Sequence, residues 1–391
     1  MSKLSTKKSY SNIMQSGLSP WKIALLAFLS LVLIFLLVIY FFLRYYTPTI
    51  SSIEHDEDIW EILGWNVEDF MKDSEGLPVD LTTPQSVEEN PWRKGCYTFL
   101  IVGKDDEAWR TDTMMYVMLD TVESKISIAQ LPRDTYVNNA QGSRLNSIVS
   151  SGRDAAIRNG RARDEAVIFG LRALMETARM TFGVPINYYV FLDLAGFIAL
   201  VDLVGDVEVY VPFHMKYDDP EQNLYIDLPP GLTLLDGKKA EQFIRFRGAN
   251  DKYIEMGYQT YVRADIDRLN AQKDFLTALM KKMTAVNFSQ VQGILRIADQ
   301  HITTNIGMLE MVAFARDALQ IKPEDIRMIT MPGEWNSNIN RYTLYRQETI
   351  NIINNYFNPY ENDIADDRFN VREFSRREIG YADLEGRTMA D

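Results

Sequence analysis

Residues 23–43 form an apolar run broken only by Ser30 and Tyr40 and free of charge. A helix needs roughly 20 such residues to cross the hydrocarbon core of a bilayer, so the run predicts one transmembrane helix. The tail before it, residues 1–22, holds Lys3, Lys7, Lys8 and Lys22 and no acidic residue, which predicts a cytoplasmic N-terminus. Trp21 and the group Tyr40, Tyr45 and Tyr46 fall at its two ends, where amphipathic rings favour the interface. A cleaved signal peptide would have a shorter apolar core, roughly 7–15 residues, followed by small residues. Leu43-Arg44-Tyr45-Tyr46 offers no such site. The expected topology is a single-pass protein of the cell membrane, with its C-terminal bulk extracytoplasmic.

That bulk is acidic. The chain carries −13 over 391 residues, and setting aside the four lysines of the tail leaves the rest more negative still. Nucleic acid is therefore not an expected partner, because phosphate-backbone binding rests on Lys/Arg neutralisation. A single cysteine, Cys96, excludes an internal disulfide framework, and its strand-like surroundings predict burial. Three scattered histidines, His55, His214 and His301, speak against a His-rich zinc centre or a Ser-His-Asp hydrolase.

Residues 44–94 read as an acidic juxtamembrane spacer, with one short helix around 59–71. From 95 to 358 the pattern changes. Runs of β-branched, aromatic and large apolar residues predict strands at 97–102, 113–119, 125–130, 188–192, 207–211 and 326–331. Helices are predicted at 163–182, where Gly183 and Pro185 end the pattern, and at 195–203, 237–246, 266–286, 291–298, 308–320 and 349–356. Such alternation predicts an α/β domain, a three-layer α-β-α arrangement around a central mixed sheet. No repeat of 20–50 residues and no P-loop interrupts it. Residues 359–391 are charged and short of aliphatic side chains, and are expected to be a disordered tail.

Five charged stretches stand out within this domain. Gly103-Lys104-Asp105 follows the first strand, Arg110-Thr111-Asp112-Thr113 precedes the second, and Pro132-Arg133-Asp134 ends the third. Ligands of α/β sheets gather at the carboxyl ends of strands, where two of these three lie. Asp105 and Asp112 flank one loop and suit a hard cation, since Mg²⁺ takes one or two carboxylates and leaves its other positions to phosphate and water. Arg245-Phe246-Arg247 follows a helix, and in extended chain a period of two puts both guanidinium groups on one side. Paired planar forks of that kind suit phosphate oxygens. Asp265, Arg268 and Gln272 make one polar stripe on a helix, with Leu269, Leu276 and Leu279 on a neighbouring face expected to enter the core. Taken singly, each stretch is an ordinary surface feature; an exposed helical pair contributes only about 0.3–0.5 kcal/mol. Their combination at strand ends of an acidic domain points to phosphate chemistry.

These same stretches resemble the LytR-CpsA-Psr family of bacterial cell-envelope proteins. The resemblance runs from about residue 97 to about residue 283 and more weakly to 356. It is carried by Ile101-Val102-Gly103-Lys104-Asp105, Arg110-Thr111-Asp112-Thr113-Met114-Met115, Leu131-Pro132-Arg133-Asp134-Thr135, Asn187-Tyr188-Tyr189-Val190, residues 215–219 with 224–228, Leu235-Asp236-Gly237 leading to Arg245-Phe246-Arg247, and the helix with Asp265, Arg268 and Gln272. A cytoplasmic tail and one N-terminal span also fit.

The resemblance implies a phosphotransferase that moves a glycopolymer phosphate from a polyprenyl-pyrophosphate carrier to peptidoglycan with Mg²⁺. Asp105 and Asp112 would then hold the metal. Arg110, Arg133, Arg245, Arg247 and Arg268 would clamp the pyrophosphate, supported by Asp265 and Gln272. Arg144 stands where many relatives have lysine. An aspartate of the site, Asp105 or Asp134, could take the proton of the acceptor hydroxyl. Two stretches, 150–163 and 248–264, are longer than the family pattern, and the second is expected to form a lid or an extra loop. The apolar runs 167–174 and 191–203 read as core. The alternatives are a polyprenyl-pyrophosphate pyrophosphatase, with water as acceptor, and a non-catalytic membrane-bound envelope regulator. About 22 cytoplasmic residues are too few for a helix-turn-helix module, so the regulator would not act by binding DNA itself.

Overall fold

A computed structural model of this chain describes residues 45–48, 58–63, 90–104, 111–139, 141–262, 264–283, 285–375 and 378. The tail 1–22, the apolar segment 23–43 and most of the spacer 44–94 lie outside the described residues, as do Asp105 and Arg110. Of Asp112 and Asp265 the backbone is described, not the side chain. No helix among the described residues is long and apolar enough to cross a membrane.

The strands in chain order are β1 (Cys96–Lys104), β2 (Thr111–Asp120), β3 (Lys125–Leu131), β4 (Tyr188–Leu192), β5 (Val207–Val211) and β6 (Met215–Asp219). There follow β7 (Leu224–Leu228), β8 (Gly231–Leu235), β9 (Ile302–Thr304), β10 (Ile326–Thr330), β11 (Gly333–Asn336) and β12 (Arg341–Leu344). Six of them make one sheet in the order β10-β3-β2-β1-β4-β9. Pairing is parallel for β1 with β4 and β3 with β10 and antiparallel elsewhere, so the sheet is mixed. The pairs β5–β8, β6–β7 and β11–β12 stand apart from it.

Alternation along β1 shows why the sheet is central. Cys96, Leu100 and Val102 enter one core, whereas Tyr97 and Phe99 enter the other, and all five are buried. A strand with both faces buried requires covering layers on both sides. One face packs against α1 (Ile148–Arg158) and α2 (Arg163–Phe182); the other receives Phe314. The remaining helices are α3 (Leu194–Val204), α4 (Gly237–Arg245), α5 (Ala264–Met283), α6 (Phe288–His301), α7 (Met308–Ala318), which carries Phe314, and α8 (Arg346–Tyr356), whose Ile350 and Ile353 join the core of α1 and α2. A third core joins α3, α4 and α5 to β5–β8 and β6–β7.

Helix α2 has the bounds its sequence predicts. Gly183 closes it in the left-handed conformation, φ 68°, and donates to Arg179 O at 2.8 Å. The stretch 150–163, read only as an extension of the family pattern, supplies most of α1. Its close packing on α2 depends on glycine: a Cβ at Gly170 would stand 2.4 Å from Val149 O.

Residues 359–371, expected to be part of a disordered tail, are instead folded. Tyr360, Ile364, Phe369 and Val371 are buried in the main core. Composition misleads here because a few large side chains in a polar segment suffice to hold it down. The same segment clasps the start of the domain. Asn90 Nδ2 donates to Asn362 O and Asn362 N to Asn90 Oδ1, each at 2.9 Å, while Arg93 N donates to Pro359 O at 2.8 Å. The domain therefore begins by residue 90, within the stretch assigned to the spacer. Cys96 is buried as expected, with Sγ 3.5 Å from Asp120 Oδ2.

Candidate active site

Strands β1, β3 and β4 end on the same edge of the sheet, and a cavity of about 490 Å³ opens there. Its floor is made by residues 101–103 of β1, by Thr113 and Met115 of β2, and by Leu192 of β4.

The turn after β3 supplies the first charged group. Thr135 N and Oγ1 both donate to Pro132 O, at 3.0 and 2.6 Å, a tight turn that presents Arg133 and Asp134. Asp134 is buried and separates two cations. Arg133 Nε donates to its Oδ2 at 3.2 Å, and Arg144 Nη1 lies 3.2 Å from Oδ1. Arg144 also donates to Asn340 O at 3.2 Å. Behind it sits Arg341, whose guanidinium is pushed below its ordinary value by burial and by the charge of Arg144. Asp134 thus acts as a spacer holding Arg133 and Arg144 on one wall.

The end of α4 supplies the second group. Asp236 caps the helix by accepting from Lys239 N at 2.8 Å. At the other end the backbone turns extended at Phe246 (φ −63°, ψ 125°), whose ring is fully buried. Arg245 and Arg247, on either side of it, both line the cavity, as a period of two predicts. Arg245 is braced by Glu241 Oε1 at 3.0 Å and donates to Gln222 Oε1 at 2.5 Å.

Helix α5 supplies the third. Arg268 and Gln272 lie one turn apart, both buried, and both line the cavity. Gln272 accepts from Gln130 Nε2 at 2.9 Å and donates to Ile244 O at 2.8 Å. Of the residues singled out from sequence, Arg133, Asp134, Arg144, Arg245, Arg247, Arg268 and Gln272 therefore meet around one cavity.

Sequence reasoning missed the rest of the wall. Leu194, Phe197 and Leu200 of α3 and Leu276, Leu279, Met280 and Met283 of α5 line the same cavity. The run 191–203 and the leucines of α5 read as core, and Leu279 is indeed buried in the third core with Phe197, Leu200 and Leu276 packed against it; what the pattern does not show is that these positions also line the cavity. Core and cavity ask for the same apolar period, so the pattern alone does not separate them. A weak signal existed: α3 is apolar nearly all round, more than one packed face requires. Tyr217, Asp219 and Gln222, from the β6–β7 hairpin, were also unassigned and complete the polar rim. Asp193 lies at the head of α3, where it accepts from Gly196 N at 2.7 Å and pairs with His301 Nδ1 at 3.1 Å.

Comparison with known proteins agrees with this fold. The polyisoprenyl-teichoic acid–peptidoglycan teichoic acid transferase TagV of Bacillus subtilis (strain 168) is 28% identical over 233 residues, 56% of this chain and 52% of TagV. The chain thus matches about half the length of that relative. The crystal structure of B. subtilis TagV superposes with a TM-score of 0.50 at 23% identity, covering 66% of this chain and 95% of the other. A LytR-Csp2A-Psr enzyme from Actinomyces oris gives a TM-score of 0.53 at 19% identity, covering 69% and 93%. At these identities the two superpositions speak to the fold. The LytR_cpsA_psr family model matches residues 72–357. That span holds the whole mixed sheet and every cavity residue named above, and the chain belongs to the LytR_cpsA_psr family.

Proposed function

We propose that this chain is a membrane-anchored, extracytoplasmic phosphotransferase that moves a glycopolymer phosphate from a polyprenyl-pyrophosphate carrier to a hydroxyl of peptidoglycan. One observation carries the reading: a single cavity joins five arginines to a wall of leucine, methionine and phenylalanine. An amphiphile with a phosphorylated head and a hydrocarbon tail matches both parts. TagV, similar over more than half of this chain, bears the name of such a transferase.

The chemistry asks little covalent work of the protein. The acceptor hydroxyl gives its proton to an aspartate of the site as its oxygen bonds to the sugar-linked phosphorus, the bond from that phosphorus to the bridging oxygen breaks, and polyprenyl phosphate leaves with the bond's electron pair. Catalysis then consists of holding the pyrophosphate and stabilising its charge. Arg133 and Arg144, fixed on either side of Asp134, and Arg245, braced by Glu241, are held for that purpose before any ligand arrives.

Mg²⁺ is part of the proposal. The β1–β2 register sets Gly103 opposite Thr113 and Lys104 opposite Thr111, with a bulge between, so the backbone of Asp112 lies beside the end of β1, one residue before Asp105. Two carboxylates seven positions apart in sequence, on either side of one loop, suit a hard, oxygen-seeking ion. Asp105 and Asp112 would hold it, and when bound it would neutralise phosphate charge. Arg110, between them in sequence, joins the proposed clamp, and Asp265 stands one turn before Arg268 on α5.

The test uses the full chain in lipid bilayers with a polyprenyl-pyrophosphate-linked glycan, Mg²⁺ and peptidoglycan. Transfer should fall roughly 100-fold in Arg133→Ala and in Asp112→Ala. Undiminished transfer in both would reject this site. Release of glycan phosphate at equal rates with and without peptidoglycan would make water the acceptor and the protein a pyrophosphatase.

A further inference from the structure

Helix α7 is apolar on two opposite sides. Its inner side carries Ala313 and Phe314, both buried. Phe314 meets Tyr97, Phe99 and Tyr188 edge-on, at 5.0, 5.1 and 5.2 Å between ring centres. The charged groups of the helix are engaged on that side or along its flank. Glu310 accepts from Gly307 N at 2.7 Å and from Tyr188 Oη at 3.1 Å, and Arg316 holds Asp317 through bonds of 2.7 and 2.9 Å. The opposite stripe is Met308, Val312, Ala315 and Leu319, spaced i, i+4, i+7 and i+11, with Leu309 at its edge. None of these five belongs to the three cores described above. Met308 is 65% exposed, Leu309 46% and Leu319 45%.

The first described residues of the chain lie against this helix. Arg316 Nη1 donates to Tyr46 O at 3.1 Å, and Tyr97 Oη donates to Pro48 O at 3.0 Å, with Pro48 buried. Tyr45 follows the apolar run 23–43 by two residues. Even fully extended, two residues reach only about 7 Å, roughly the depth of one headgroup layer. A bilayer crossed by that run therefore has its surface beside α7. The stripe itself is uncharged, as a face that enters the boundary between headgroups and acyl chains must be. A second copy of the chain fits it less well. The 11-residue helix is about 16 Å long and about 10 Å wide, far short of the roughly 800 Å² per partner that a stable dimer buries.

We infer that the outer stripe of α7 docks on the bilayer surface, which lays the domain with the start of β1 toward the lipid and the arginine wall away from it. The inference rests on the anchoring in the phosphotransferase reading and adds the face of the domain that meets lipid. Leu276 and Met280 of α5 line the cavity and also pack against the core beneath α7, so apolar packing is continuous from the docked helix to the site.

The test places a spin label on the full chain in liposomes containing phosphatidylglycerol, through Met308→Cys, Leu319→Cys or, beside the cavity rim, Tyr225→Cys. All three positions are exposed, and buried Cys96 stays unlabelled. At 308 and 319, relaxation by oxygen, which concentrates in lipid, should exceed relaxation by a water-soluble nickel chelate, and at 225 the order should reverse. Dominant nickel relaxation at 308 and 319, in a chain that resists carbonate extraction from the liposomes, would overturn the docking and leave the anchor standing. Protection from both relaxers would mean that protein covers the stripe, either residues 49–57 of this chain or a second copy, and would overturn it as well. Extraction of the wild-type chain by carbonate would instead reject the anchor, and this inference with it.

Discussion

Gln130, at the end of β3, donates its amide to Gln272 Oε1 of α5 at 2.9 Å, and both side chains are buried. Gln272 in turn donates to Ile244 O, beside Arg245. One carboxamide thus fixes the sheet, the arginine-bearing end of α4 and the helix that carries Arg268.

Replacing it should loosen all three. Gln272→Leu leaves Gln130 Nε2 and Ile244 O buried without that partner, at a cost of about 1–3 kcal/mol in stability. Thermal unfolding of the detergent-solubilised chain would read the loss as a lower Tm. An unchanged Tm would mean the two groups find other partners.

Asp134→Asn keeps the shape of the spacer and removes its charge. Arg133 and Arg144 then repel across it, and donor turnover should fall about 10- to 100-fold through misplacement of the clamp. The drop should appear in kcat/KM, with secondary structure by circular dichroism unchanged. Wild-type kcat/KM would show that the two arginines hold their places without Asp134.

The apolar wall predicts a chain-length effect. Met283→Glu places a charge among Leu279, Met280 and Leu200 at the cavity's apolar side. KM for a long-chain polyprenyl donor should rise roughly tenfold, whereas KM for a short-chain analogue should change little. Equal changes for both donors would remove the tail from this wall.

Cys96 supplies a pH prediction. Burial pushes its thiol up to about 12, and the negative charge of Asp120 adds to the rise. The folded state therefore keeps the proton longer than the unfolded chain, and stability present below the unfolded value near 9 is lost as pH rises toward 12. The native thiol should resist thiol-disulfide reagents at pH 8 and react once the chain is unfolded. Rapid labelling of native protein at pH 8 would contradict the burial.

Legibility in the sequence followed the strength of the local signal. Helix α2 could be read to the residue because its apolar period is long and Gly183 stops it. Arg245 and Arg247 could be paired because one buried ring between two arginines leaves an extended backbone little choice. The apolar wall could not, since Leu276 facing a cavity and Leu276 facing a core make the same pattern. β8, as long as β5, opens on glycine and has no run of β-branched or aromatic residues, β12 has only four residues, and the fold of residues 359–371 depends on contacts with residues 90–93 hundreds of positions earlier. Asp219 lies in the stretch 215–219 that carries part of the resemblance, but only the pairing of β6 with β7 brings it to the cavity rim.

The clasp between residues 90–93 and 358–362 also has a mechanical meaning. Under the proposed anchoring upstream of residue 90, a pull on a polymer held in the cavity would load the chain between the anchor and the domain. That load would enter at Asn90 and Arg93 and meet their bonds to Asn362, Pro359 and Asn358, with the Trp92–Tyr360 ring contact beside them. These lie at the start of β1, whereas the cavity lies at its end. Such a pull would meet these bonds at the start of β1 before it reached the arginine wall at the far end of the strand.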